Sequence, residues 1–410
     1  MNIPKSHKRN TCRGCGGTDL AQILDLGEMP QANAFINPTE NFIEDKFPLT
    51  AYLCSNCFLF QLLDVVDPKI LFRHYDYLTS ASAPLAEHFR SEARYLAERF
   101  QLSKKDLVVE IGGNDGVLLD EIRAKCRTLN VEPAENIADI SRSKGIETTG
   151  EFFTAELARG ILRKYGGAKI IVANNVMAHI DDLDGVFDGV KLLLADDGAF
   201  VFEVHWLGNL MGDGGFDQIY HEHLCYYSLT ALNKMVERMG LVIFDVESVP
   251  IHGESMRVYA GKNRVPGTSV TNFLDKERNL GLDKLETFIK FKNKAAENKN
   301  KIVTLLTDLK KAGKAVIGYG APAKGNTLLN YCGVTTDLIN FLTDTTSFKQ
   351  GLLAPGSRIP VYSPEKLKER RPDYVLLLAW NYAESILAKE KELRANGTKF
   401  IIPVPEPRIV

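Results

Sequence analysis

The sequence predicts an α/β protein in three parts: a small cysteine-stapled N-terminal module, a central Rossmann-like domain, and a second Rossmann-like α/β domain at the C-terminal end. Three observations carry this. Two CxxC knuckles, Cys12–Cys15 and Cys54–Cys57, open the chain. From Leu107 onward, apolar strand-like runs alternate with helical stretches, as a parallel doubly wound sheet requires. After a polar, lysine-rich interval the same alternation starts again at Ala315. These features place the parts at residues 1–72, 73–264 and 265–410.

Size and composition agree. At 410 residues the chain has room for two or three domains of about 100–200 residues, each with its own core. Apolar residues make up 45% and charged residues 25%, with a formal net charge of −2, which is ordinary globular composition and gives no sign of a nucleic-acid binder. The first residues lack the apolar stretch of a secretory signal, and runs such as Tyr374–Trp380 are too short to span a bilayer. A cytoplasmic protein is expected. The cysteine total of seven is odd, which argues against a disulfide framework; in a reducing cytosol the paired knuckles would remain thiols and take a metal.

In the first segment, thiolates are soft ligands suited to tetrahedral zinc, and each CxxC turn lets two of them face one ion. Cys12, Cys15, Cys54 and Cys57 complete a four-thiolate shell. That shell leaves no open position, so the zinc is expected to be structural. A helix follows between about His74 and Phe100, with Phe89, Ala93, Leu96 and Phe100 on one face.

The strand Leu107–Ile111 then ends in Gly112-Gly113-Asn114-Asp115-Gly116, and a new helix opens at Val117. Further strands are expected at Leu129–Glu132, Lys169–Asn174 and Gly198–Val204, with an antiparallel hairpin of Leu241–Val246 and Ser255–Ala260. A strand, a glycine turn and a helix together bring backbone N–H groups close to a nucleotide-like ligand. Glu132, 20 residues beyond Gly112 and followed by Pro133, is placed to accept from both hydroxyls of a ribose. A dinucleotide fingerprint reads GxGxxG. This loop instead resembles the E-x-G-x-x-x-G form of S-adenosylmethionine methyltransferases, from Glu110 through Gly112, Asn114 and Asp115 to Gly116. With Asn174 and Asn175 after the third strand, adenosylmethionine is the expected cofactor and NAD the alternative.

Phe216–His223 concentrates two histidines, a tyrosine and two carboxylates in a chain with eight histidines in all. Its spacing is not the HExxH of a helical zinc site, and general acid–base work fits it better. Together with Tyr77-Leu78-Thr79-Ser80, Asn175-Val176-Met177-Ala178-His179, Tyr220-His221-Glu222-His223 and Gly318-Tyr319-Gly320-Ala321 with Lys324-Gly325, the whole chain resembles the zinc-containing sugar 3-C-methyltransferases of deoxysugar biosynthesis. The resemblance implies a zinc-binding module, a central S-adenosylmethionine methyltransferase domain and a C-terminal α/β domain. It implies that His223 is the base at sugar C3, with Tyr220, Glu222 and His179 around the substrate, and that Tyr77 and Ser80 lie near the methionine part of the cofactor. His221 is expected to pack, since only one histidine of the pair is needed as base.

After a long helical connector from about Thr268 to Lys311, a strand at Ala315–Gly318 leads through a glycine turn to a helix from about Lys324, with later strands near Leu338–Leu342 and Tyr374–Leu378. The turn is a plausible cradle for a diphosphate. The resemblance implies that this domain holds a nucleotide-linked keto sugar, with Tyr319, Lys324, Asn326 and Asp344 expected at that ligand and Lys349 and Trp380-Asn381-Tyr382 able to complete the pocket. A monomer is expected. Two alternatives stay open: an O- or N-methyltransferase for a nucleotide sugar or other small molecule, and a non-catalytic zinc protein that binds a nucleotide sugar. The sequence leaves the nucleotide, thymidine or guanosine diphosphate, undecided.

Overall fold

The computed structural model describes residues 5–40, 43–72, 78–250 and 254–410. In the N-terminal part, Phe47–Cys54 buries Phe47, Leu49, Ala51 and Leu53 on the two-residue period of a strand. It pairs antiparallel with Leu20–Met29 on one side and Phe60–Leu62 on the other. The fourth strand of this sheet, Cys225–Tyr226, comes from the middle of the chain and pairs with Phe60–Leu62. The module thus holds the segment that follows Tyr220–His223.

The central sheet has seven strands. Taking its strands in chain order, the order across it is third, second, first, fourth, fifth, seventh, sixth. Leu107–Ile111 lies in the middle, buried along its length, between Arg127–Val131 and Ala168–Val172. Parallel strands covered on both faces read as continuous apolar runs for this reason. Leu194–His205 follows on the far side of Ala168–Val172, and the hairpin Val242–Val249 with Ser255–Gly261 closes that edge antiparallel, as expected. Ala83–Arg99 is the helix foreseen before the sheet, with Phe89, Ala93 and Leu96 buried.

The connector differs from the expected single helix. It is two helices, Thr268–Leu280 and Leu285–Lys311. Gly281 ends the first in a left-handed conformation, φ +70°, and the buried Leu282 turns the chain inward. The C-terminal sheet has six strands in the order third, second, first, fourth, fifth, sixth, the last antiparallel. Its expected strand near Leu338–Leu342 shortens to Leu342–Thr343. One continuous apolar core runs through all three parts; Phe60 of the module, for example, meets Phe288 of the connector at 5.3 Å between ring centroids. Among the described residues no helix is long and apolar enough to cross a membrane.

Candidate active site

Cys12 Sγ lies 3.5 Å from Cys57 Sγ, and Cys15 Sγ 3.5 Å from Cys54 Sγ. All four sulfurs fall within 4.8 Å of one another. Bonds of about 2.3 Å to a tetrahedral zinc set thiolates about 3.8 Å apart, so the four residues fit one ion. Gln61 Nε2 donates to Cys12 Sγ at 3.0 Å and the Gly14 amide at 3.3 Å. Such donors stabilise and orient a thiolate ligand.

A cleft of about 1220 Å³ opens at the carboxyl ends of the central strands. At one end stands the glycine turn. Gly112 has φ +64°, and a Cβ there would come within 2.6 Å of Val176. The Asn114 amide donates to Glu132 Oε2 at 3.0 Å and the Ala134 amide to Oε1 at 2.8 Å. Each carboxylate oxygen keeps a further acceptor position for a ribose hydroxyl. Burial pushes the Glu132 pKa up, and the two amides oppose it. Asn114 also accepts from the Thr79 amide at 2.9 Å, which ties the segment before the first helix to the loop.

Gly112, Asn114, Glu132, Pro133, Asn174 and Asn175 all line this cleft. Two other residues read from the sequence as cofactor contacts are placed behind the loop. Asp115 is buried and pairs with Lys144 Nζ at 2.7 Å. Glu110 is buried beneath Gly113, where an added Cβ would lie 2.7 Å from its Oε2. Burial first, then the neighbouring charges of Glu92, Glu132 and Asp115, pushes its pKa well above the carboxylate range. Ser80 is exposed in a single 3₁₀ turn, and Tyr77 lies outside the described residues.

The other end of the cleft holds the histidines. Tyr220 Oη and His223 Nε2 are 3.0 Å apart, with ring centroids at 4.2 Å. His179 stands 5.0 Å from His223 by ring centroid, and its Nδ1 is 2.6 Å from the Glu222 carbonyl oxygen. A carbonyl only accepts, so Nδ1 carries the hydrogen and Nε2 is the accepting nitrogen of the neutral ring. Burial lowers the His179 pKa and keeps that ring neutral. The Glu222 carboxyl is buried, accepts from Asn33 Nδ2 at 3.0 Å, and has its pKa raised by burial. A neutral imidazole and a hydroxyl beside it can together remove and deliver protons.

Family models match the chain in three pieces: a zinc binding domain over residues 12–72, a methyltransferase domain over 85–246, and a C-methyltransferase C-terminal domain over 250–405. The C-methyltransferase NovU of Streptomyces niveus is 39% identical over 404 residues, covering 97% of this chain and 96% of the relative. The chain belongs to this C-methyltransferase family. The methyltransferase is also similar to a magnesium protoporphyrin IX methyltransferase from Synechocystis with bound SAM, at 13% identity, TM-score 0.33, over 43% of this chain and 79% of the other. An S-adenosylmethionine-dependent methyltransferase from Clostridium acetobutylicum matches at 16% identity, TM-score 0.35, over 44% and 92%.

The methyltransferase therefore uses S-adenosylmethionine, and its four-cysteine cluster is a zinc site. Several cleft residues carry no motif. His205, at the end of Leu194–His205, lies 5.6 Å from His223 by ring centroid. Only the rule that ligands sit at strand carboxyl ends marks it. Gln31, Asn33 and Phe35 of the module and Phe348 and Lys349 of the C-terminal part complete the walls.

The four residues expected at the nucleotide, Tyr319, Lys324, Asn326 and Asp344, do not line this cleft. Tyr319 donates to Glu390 at 2.9 Å, and Asn326 to the Ala32 carbonyl at 2.7 Å. Asp344 accepts from the Ala321 and Thr346 amides. Lys324 lines a small second cavity with Trp380, Asn381 and Asp213; His205 lines both this cavity and the main cleft.

Proposed function

We propose that the methyltransferase places its methyl group on C3 of a nucleotide-linked 4-keto-6-deoxy sugar, through an enolate formed in the cleft. The observation that carries this reading is the Tyr220–His223 pair, 3.0 Å apart, in the same cleft as the glycine turn. A carbon nucleophile, unlike a hydroxyl or amine, must first lose a hydrogen, and a ketone at C4 makes that loss feasible. His223 takes the C3 proton. Nε2–H of His223 donates to the Tyr220 oxygen, so that Nδ1 takes the proton and the Tyr220 hydroxyl donates to the C4 oxygen as charge develops there. His179, an acceptor at Nε2, is the second candidate for the base.

Adenosylmethionine, when bound, supplies an electrophilic methyl. Glu132 holds the ribose, and Leu85, Phe89 and Phe153 give the cleft apolar walls that exclude water. Holding reacting atoms about 3–3.5 Å apart is a large share of the catalysis. The zinc, closed by four thiolates, takes no part in the chemistry. The Lys349 ammonium, 5.2 Å from the Phe35 ring centroid, offers a cation to the diphosphate on the C-terminal side of the cleft. The enzyme acts as a monomer in the cytoplasm.

Incubation with methyl-labelled adenosylmethionine and a panel of thymidine- and guanosine-diphosphate keto sugars tests this. Label should appear on carbon in a 4-keto sugar. Label on oxygen or nitrogen instead contradicts it.

A further inference from the structure

The C-terminal sheet has the strand order of a dinucleotide-binding fold, third, second, first, fourth, fifth, sixth. In such sheets ligands lie at the carboxyl ends where the order reverses, between the first and fourth strands. Here those strands are Val316–Tyr319 and Tyr374–Leu377. Past their ends stand Lys324, in the first turn of the helix Ala323–Tyr331, and Trp380 with Asn381. This is the place where a diphosphate would be sought.

In this chain a carboxylate from the central part already sits there. Asp217 is fully buried, and its Oδ2 accepts from Trp380 Nε1 at 2.6 Å. The Lys324 ammonium lies 4.1 Å from the centroid of the same indole ring and donates to Asn381 Oδ1. One tryptophan thus bonds an anion at its edge and meets a cation at its face. Oδ1 of Asp217 is buried with no side-chain hydrogen-bond partner among the described residues, and the carboxylate is stabilised by the charge of Lys324, the Trp380 N–H and the backbone amides of its own turn. Burial pushes the Asp217 pKa up to about 6 and the Lys324 pKa down to about 8. Next to Asp217, Phe216 packs edge-on against Tyr331 of the C-terminal helix, 5.4 Å between centroids. Two residues after the turn Phe216–Gln218, the chain reaches Tyr220.

We infer that the nucleotide crevice of the C-terminal domain takes Asp217 as an internal anion, and that Lys324 and Trp380 are positioning residues which hold the segment Tyr220–His223 at the reaction centre. The diphosphate is then bound outside this crevice. The inference rests on the reading of Tyr220 and His223 as catalytic. A fixed turn directly ahead of the Tyr220–His223 pair matters because small misplacements of reacting groups are costly in rate.

The test uses Trp380→Phe, which keeps the ring and removes the donor, and Lys324→Met, which keeps the stem and removes the charge. Both should lower kcat about tenfold to a hundredfold. Both should leave the keto-sugar KM and the affinity for thymidine or guanosine diphosphate within about twofold, since neither residue touches the ligand. Hydrogen–deuterium exchange by mass spectrometry should show faster exchange at 216–224 in both variants. A tenfold loss of nucleoside diphosphate affinity in Lys324→Met, with kcat unchanged, would make the crevice a nucleotide site and overturn the inference. Unchanged exchange at 216–224 would overturn it as well. If exchange rises there in both variants while C3 deprotonation proves independent of His223, the latch stands and the catalytic reading fails.

Discussion

At His221 the imidazole donates through Nε2 to the Phe47 carbonyl, 3.2 Å away, with 1% of its surface exposed. His223, two residues on, lines the cleft. The sequence alone separates the two by economy, one base being enough, and the structure supplies the physical cause: Phe47 belongs to a strand of the module sheet and fixes His221 on that side. Burial pushes the His221 pKa down to about 4, against about 6.5 in an unfolded chain. The unfolded chain therefore takes up a proton below about pH 6.5 while the folded ring stays neutral to about 4, so stability is lost as pH falls through that window. Between pH 7 and pH 5 this amounts to about 2 kcal/mol. Urea unfolding at both pH values should show wild type losing that much more than His221→Gln, which keeps a donor for Phe47; equal losses would place the titration elsewhere. That Glu132 stands beside the glycine turn in the cleft was legible because the spacing from that turn to the end of the next strand is a rule of the fold. Asn33 and His205 were not, because their roles exist only once separate parts of the chain meet.

Single elements show the same division. Leu107–Ile111 reads directly as a buried parallel strand because both its faces are covered. The alternation of Phe47, Leu49, Ala51 and Leu53 was equally present in the sequence, yet the CxxC knuckles drew attention to the metal and no strand was assigned there. Cys225–Tyr226, a strand of two residues, leaves no periodicity to read, since its partner Phe60–Leu62 is supplied by the tertiary fold. The connector break at Gly281 lay in the sequence as a glycine, but a lysine-rich helical pattern on both sides masked it. The module grips the segment from Tyr220 to Tyr226 through Phe47, Asn33 and Phe60, so on the proposed reading zinc should matter to turnover without touching substrate. The enzyme should carry about one zinc per chain. Stripping it with a chelator should reduce kcat while adenosylmethionine binding by calorimetry persists, and added zinc should restore the rate. Full turnover in zinc-free enzyme would show that the module and the catalytic segment are uncoupled.

Across the whole molecule, the cleft is a joint product of three parts: the central sheet gives the glycine turn and the histidines, the module gives Asn33 and Phe35, and the C-terminal part gives Phe348 and Lys349. The parts themselves were legible because each announces itself locally, through thiol pairs or βα alternation. Their arrangement was not, and this is why Lys324, set in a glycine turn with the look of a phosphate cradle, lies in the structure against Asp217 and Trp380. The central claim is that carbon is methylated after loss of its own hydrogen. Its most direct measurement follows a nucleotide-linked 4-keto sugar in heavy water, with S-adenosylhomocysteine in place of the methyl donor, by proton NMR at C3. Wild-type enzyme should wash deuterium into C3, and His223→Asn should slow this about 10²–10⁴-fold. Exchange at the wild-type rate in His223→Asn but not in His179→Asn would move the base to His179, and no exchange at C3 with wild-type enzyme would contradict the enolate account altogether.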